Sequence, residues 1–257
     1  MTVRPYVVTS VVLWLSAAGW CAKPTATITT IEGTASVLPS GADKWRTARP
    51  NMPLRIGDQV YSREQSFVEI RYMSGAVVRM NENTKLTLQE STDKGVKSHN
   101  PLGNVWVNMQ KITRKRSFEM SSPTAVAAIR GTVFQMQTDE DSATSVRVYD
   151  GKVQVGPSAA LQKRLEKLQQ EQDDQEGTQQ QDTPPDGPQT VPGPEEIPGP
   201  YEVTLEEWHA IVAGQMISVR PDGKYAQEEF DPDKASLEEF VKKNRELDEQ
   251  LLEEGKE

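Results

Sequence analysis

Two histidines, one cysteine and 38 carboxylates are what this 257-residue chain offers for chemistry. His99 lies in Ser-His-Asn-Pro, which reads as a turn, and His209 follows Trp208. Neither has a Cys or a second His at ligand spacing, so a zinc site is not expected. No nucleophile elbow surrounds any serine. Asp139-Glu140-Asp141 lacks the alternating ligand spacing of a calcium loop and reads as a solvated loop between strands. The densest charge cluster is basic, Lys111, Arg114, Lys115 and Arg116. It is open to three readings: an electrostatic dock for an anionic polymer or a partner's acidic face, a solvated hairpin between strands around Val105 and Phe118, or a contact for the chain's own acidic segment. No catalytic residue, metal or cofactor is expected.

The elements that would position such a patch are short strands. Thr132–Met136, Ser145–Tyr149 and Lys152–Val155 alternate apolar with polar residues, the period of half-buried β structure. Asp150-Gly151 between the last two predicts a tight hairpin, and Gly131 predicts a bend after Arg130 that needs positive φ or close backbone approach. Upstream, Thr27–Val37, Leu54–Tyr61, Phe67–Tyr72, Ala76–Met80, Lys85–Leu88 and Asn104–Met109 add strands, with a hairpin at Ser74-Gly75 and Trp45 packing on the sheet. Matches of Gly33 with Gly103, of Ile56–Tyr61 with Ile129–Phe134 and of the Gly75 with the Gly151 hairpin suggest two stacked copies of one strand unit.

These segments carry a family resemblance. Pro123-Thr124-Ala125, Ala128-Ile129-Arg130-Gly131-Thr132-Val133-Phe134 and Thr144–Val155 resemble the core signature of the FecR domain family. Leu54–Val60, Ser66–Ile70 and Ser74–Val78 look like its first half. The resemblance covers about Ile28 to Pro157, with Arg130, Gly131, Thr132, Phe134 and Gly151 as structural signature. It implies a periplasmic, mainly β domain; together with the internal matches the expected fold is a two-repeat strand-rich sandwich or solenoid. Regulators of that family resemble three-part proteins with a cytosolic anti-sigma segment and a transmembrane helix. Here five residues precede the apolar run, so signalling by that route is not implied.

Charge divides the chain. Thr27–Gly156 holds 17 Lys/Arg against 13 Asp/Glu, whereas Pro157–Glu257 holds 10 against 25. A mildly basic half and an acidic half argue against nucleic-acid binding, which needs a concentrated basic face. Arg4, the apolar run Tyr6–Ala18 and the small residues Ala17-Ala18-Gly19 read as a signal peptide over residues 1–21, too short for a membrane span of about 20 residues. Cys21 raises the alternative of a lipoprotein, although Trp20 occupies a position where lipidation favours a small residue. As the single cysteine it permits no intramolecular disulfide.

After the β domain, 27–157, Ser158 caps a helix with Leu161, Leu165 and Leu168 on one stripe. This dissolves into a Gln/Pro/Gly-rich, acidic run, so 158–200 reads as a flexible insertion or linker. Thr204-Leu-Glu-Glu207 predicts a short helix with Leu205, Trp208, Ile211 and Val212 inward, stopped by Gly214. Gln215–Val219 follows as a strand, so that 201–223 returns to the β domain. Ser236-Leu-Glu-Glu239 opens a last amphipathic helix within 224–257. Its face of Leu237, Phe240, Val241, Asn244, Leu247 and Leu251 packs on the β core or meets an outside partner. The expected function is an exported, non-enzymatic binding or sensing module of the bacterial envelope, with an envelope protein or anionic envelope polymer as partner. The alternative is an assembly protein acting through its acidic helices.

Overall fold

The computed structural model describes residues 24–92, 95–109, 117–176, 203–204 and 207–254. The expected signal peptide, the basic run Lys111–Arg116 and residues 177–200 lie outside the described residues.

The chain repeatedly runs a short strand in one sheet, turns a corner, and continues as a strand in a second, facing sheet. β1 (Ala26–Glu32) turns into β2 (Ala35–Leu38), and β5 (Gln59–Ser62) turns into β6 (Phe67–Tyr72) after the short β3 (Arg46–Thr47) and β4 (Met52–Leu54). β7 (Val77–Met80) turns into β8 (Lys85–Ser91), and the long β9 (Gly95–Asn108) makes the passage within one strand. After β10 (Ser117–Ser121) come β11 (Ala125–Ile129) with β12 (Val133–Thr138), then β13 (Thr144–Asp150) with β14 (Lys152–Pro157). Beyond α1 (Ala159–Glu176) and β15 (Val203–Thr204), β16 (His209–Val212) turns into β17 (Gln215–Val219); β18 (Lys224–Glu229), α2 (Pro232–Ala235) and α3 (Glu239–Glu254) end the chain.

Stacking these angled units gives two sheets with nearly the same order. Sheet one runs β4-β1-β6-β7-β9-β12-β13-β17-β18-β15, antiparallel throughout. Sheet two runs β3-β2-β5-β8-β9-β10-β11-β14-β16. Each corner holds a residue with positive φ: Gly33, Gln65, Asn83, Gly103, Gly131, Gly151 and Gly214. Alternation sends Val68, Ile70, Val78, Met80, Val105, Val107, Phe134 and Met136 of sheet one into the space between the sheets, where they are buried with Val60, Leu86, Phe118, Met120 and Val155 of sheet two. Tyr72 is buried there too, bonded to Ser98 Oγ at 2.7 Å and edge-on to Phe118. The architecture is mainly β, as the family resemblance implies.

Several local expectations need correction. β13 and β14 do not pair with each other; β13 pairs with β12 and β17 in sheet one, and β14 with β11 and β16 in sheet two. Gly151 is therefore a corner, not a hairpin tip. Gly75 does close a same-sheet hairpin, β6–β7, so the proposed match between the two glycines fails. The repeating unit is the corner itself. The run 110–116 does not join a hairpin either, because β10 lies parallel to the first half of β9, Gly95–His99. The helix expected from Thr204 is a strand at His209–Val212, paired with Lys152–Val155. Local capping signals lose there to an open edge on β14 and to β-favouring Ile211 and Val212. Ser158 does cap α1, its Oγ accepting from Leu161 N–H at 3.0 Å, and Leu161 is buried in the main core. Ser236 instead closes α2, its hydroxyl donating to Pro232 O.

The signature residues meet at one corner. Thr132 Oγ1 donates to Lys152 O at 3.0 Å, tying the β11–β12 unit to the β13–β14 unit. Gly131 has φ 67° with no atom within 4 Å of where a Cβ would be. Gly151 has φ 82°, and its Cβ would lie 2.9 Å from Gly131 O. Positive φ is thus the whole requirement at Gly131, while Gly151 adds a backbone clash. Gly131→Ala should cost about 1–2 kcal/mol, and Gly151→Ala clearly more, measured as thermal or denaturant unfolding. Equal losses at the two positions would refute the stacked-corner account.

Candidate functional site

The outer face of sheet one carries a row that alternation alone would leave in solvent. In register across five strands stand Glu69, Arg79, Trp106, Gln135 and Arg147. The first four are buried, and Arg79 is 0% exposed. Aromatic neighbours on the same face explain why water is excluded: Trp106 and Tyr149 rings lie 4.6 Å apart, Phe230 sits edge-on to Tyr149 at 5.3 Å, and Phe240 edge-on to Phe67 at 6.4 Å. Val133 and Val241 complete this second, smaller core.

α3 covers the row through an ion network. Arg79 Nε donates to Glu69 Oε2 at 2.8 Å, and Arg79 Nη1 donates to Asp248 Oδ1 at 2.5 Å. The other Asp248 oxygen accepts from Trp106 Nε1 at 2.9 Å. Arg79 Nη1 also reaches Asn244 O at 3.3 Å. Glu69 further accepts from Thr29 Oγ1 at 2.7 Å and Arg71 Nε at 3.0 Å. Burial alone would raise the Glu69 pKa, but hydrogen bonds from Arg79, Thr29 and Arg71 and the Arg79 charge together hold it below its ordinary value of 4.5. Tyr149 donates to Gln135 Oε1 at 2.8 Å. Burial pushes its phenol up to about 12, so the proton that makes this bond is retained at neutral pH.

The last helix therefore uses its apolar face within the domain. Val241, Asn244 and Asp248 are buried, and Phe240, Leu247 and Leu251 half-buried. Leu237, expected on that face, precedes the helix and is 85% exposed. Outer contacts add Arg147 to Glu238 at 3.0 Å and Lys243 to Glu32 at 2.6 Å, with the Lys243 ammonium 4.0 Å from the Phe67 centroid. Arg79 Nη2 and Asn244 Oδ1 lack hydrogen bonds at this dock, each orphan costing about 1–3 kcal/mol. Two clefts flank the helix: one of about 400 Å³ bordered by Glu32, Phe67, Glu82, Phe240 and Lys243, the other of about 220 Å³ by Trp106, Tyr149, Arg245, Asp248 and Leu252.

Of the residues singled out from sequence, Arg130, Gly131, Thr132 and Gly151 gather at the corner, and Phe134 fills the main core. Lys111, Arg114, Lys115 and Arg116 lie outside the described residues. His99 does not sit in a turn. It stands on β9 opposite Ser121 of β10, with Nδ1 2.9 Å from the hydroxyl, and burial lowers its pKa. That hydroxyl also reaches Ser98 O at 3.3 Å. The pair bridges two strands of sheet two. Among the described residues, no group of three or more His, Cys, Asp and Glu side chains is arranged to hold a metal. Sequence inspection missed Glu69, Arg79 and Asp248. The available signal was parity: Glu69 and Arg79 share the outward register with Trp106, Val133 and Tyr149, a face too apolar to be left in water.

Removing one partner of a buried ion pair leaves the other uncompensated, at about 3–5 kcal/mol. Asp248→Ala should therefore lower unfolding free energy by about 3 kcal/mol, and a loss under about 1 kcal/mol would show that α3 is not held this way. Because the folded pKa of Glu69 is depressed, its contribution is present above the unfolded value near 4.5 and lost as pH falls through the folded value. Stability should thus decline below about pH 4.5, with Glu69→Gln less stable at neutral pH and its decline flatter. Parallel acid limbs for both proteins would contradict the assignment.

Comparisons with known proteins address the same strands. Residues 58–154 match the family model described as FecR protein. No curated protein matches the chain. Two crystal structures of a candidate anti-sigma factor from Parabacteroides distasonis ATCC 8503 are similar at 14% identity, with TM-scores of 0.45 and 0.46. The similarity covers 67% and 70% of this chain and 60% and 64% of theirs, so the chain spans less than two thirds of their length. The part of the chain that resembles the FecR protein family thus runs from the approach to β5 into β14, Asp58 to Gln154.

Proposed function

We propose that the protein is an exported, non-enzymatic binding or sensing module of the bacterial cell envelope. The observation that carries this is the FecR-family match across residues 58–154. The polar chemistry of the fold is consistent with it: Glu69, Arg79, Trp106 and Asp248 spend their hydrogen bonds on one another to dock α3. Among the described residues, no helix is long and apolar enough to cross a membrane. Attachment through a lipidated Cys21 remains the lesser variant, and cleavage of the leader near residues 19–21 the main one.

The domain partition is part of this proposal, and strand pairing supports it. Residues 27–157 form most of the β unit, 201–223 return β16 to β14 and β17 to β13, and 224–257 supply the docked helix. On this reading 158–200, which opens with α1, is an insertion or linker. The contact surface is assigned to the basic run Lys111, Arg114, Lys115 and Arg116, which connects sheet one to sheet two between β9 and β10. Its partner is an acidic envelope protein or anionic envelope polymer. An assembly role through the acidic helices is the alternative, and α3's engagement with sheet one counts against it.

Replacing Arg114, Lys115 and Arg116 together by Ser should abolish salt-sensitive capture of an envelope partner while leaving the melting temperature unchanged, since exposed charges act over about 10 Å at 0.1 M salt. The mature N-terminus of the exported protein, read by mass spectrometry, should begin between Trp20 and Ala22. An intact Met1 on a cytoplasmic protein would overturn the envelope assignment. Unchanged capture by the triple variant would overturn the assigned surface.

A further inference from the structure

The outer face of sheet two offers a second surface, separate from the basic run and uncovered by any described helix. Thr47, Ser36, Tyr61 and Lys85 stand in one register row across β3, β2, β5 and β8. Trp45 lies beside the row, 41% exposed, its ring edge-on to Tyr61 at 6.3 Å. Arg63 and Lys85 hold their charges 5.5 Å and 5.6 Å from the Tyr61 centroid. Arg46 and Lys44 are exposed next to Trp45 in sequence. Asp43 and Glu64 are the acidic neighbours along the chain, yet among the described residues none of Lys44, Arg46, Arg63 and Lys85 pairs with a carboxylate. On sheet one, the equivalent aromatic and charged row is sealed by α3 and its cation is matched by Glu69 and Asp248. On sheet two, rings and cations face outward together.

From this we infer that Trp45, Tyr61, Arg63 and Lys85 form a binding platform for an acidic polysaccharide whose sugar rings carry carboxylates. The C–H bonds on one face of a pyranose form an apolar, slightly positive surface that suits the negative face of an aromatic ring. A cation within 6 Å of that ring is placed to pair with an anion borne by the stacked sugar itself or its immediate neighbour. A ring carboxylate meets that spacing. Two rings flanked by two cations suit a few sugar units laid across the strands. The inference deepens the proposed function by naming a ligand class, and rests on export only for where the ligand would be met.

The test uses the full chain with polygalacturonate oligomers, neutral dextran oligomers and poly-glutamate as probes, followed by calorimetry and tryptophan fluorescence. Polygalacturonate should bind and dextran should not. Trp45→Ala, and separately Arg63→Ser with Lys85→Ser, should each weaken binding by at least about tenfold with melting temperature unchanged. The triple Ser variant at 114–116 should retain it. Binding that persists in Trp45→Ala, that is equal for dextran, or that is lost in the 114–116 variant would overturn the platform. Poly-glutamate binding as tightly as the oligosaccharide would replace the glycan by an acidic peptide and overturn the ligand class. A cytoplasmic protein with intact Met1 would undo the envelope assignment while leaving the binding result as it stands.

Discussion

A guanidinium with no exposure to water sits on the outside of a β sheet, and much of the molecule's second half is arranged to make that tolerable. Taking one such charge out of water costs several kcal/mol even after relaxation. Glu69, one strand away, supplies part of the compensation, and Asp248, 169 residues further along, supplies the rest. Buried ion pairs add little net stability over an apolar replacement, but they are intolerant of a missing partner. This asymmetry turns α3 from a decoration into a required part. Sheet one without it would expose Trp106 and Tyr149 and leave Arg79 with half its counter-charge.

The stacked corners explain why the helix reaches its place. Each angled unit buries its inner residues only against its neighbours, so the array needs closing at both ends. β16 and β17 extend it by one unit beyond β13 and β14, and β18 then leads the chain back over sheet one through Phe230 and α2 into α3. Asp231 caps α2 with its side chain, accepting from Asp233 and Lys234 N–H groups, and Pro232 occupies the first turn. The result is a module with two unlike outer faces, one sealed by a helix and one that, among the described residues, presents Trp45, Arg63 and Lys85 to solvent.

Strand existence was legible because alternation is a local property. Strand partnership was not, and the errors share a cause. Asp150-Gly151 has the composition of a hairpin tip, yet positive φ serves a corner equally well, and only the pairing of β14 with β11 and β16 distinguishes the two. The Thr204–Glu207 signal is genuine helix-start chemistry, overridden by an edge that exists only in the folded sheet. The parallel lie of β10 beside β9 leaves no trace in either strand. The family signature at Arg130–Phe134 was readable because it is contiguous. The Glu69–Arg79–Asp248 network was not, because it joins a hairpin to a helix across the length of the chain. The outward parity of Glu69 and Arg79 beside Trp106 and Tyr149 was its available trace. The aromatic pair of exposed Trp45 and half-buried Tyr61 was half seen: the tryptophan was expected on the sheet, and it is there, on the outer side.

Native-state hydrogen exchange tests the central claim most directly, because it reads the free energy at which each segment opens. If the Arg79 network makes α3 part of the domain, the amides of residues 243–252 should exchange at a free energy close to that of β7 and β9, opening together with sheet one. Exchange of those helix amides at a small fraction of the cost, with β7 and β9 still protected, would show a helix merely resting on the sheet and would contradict the account.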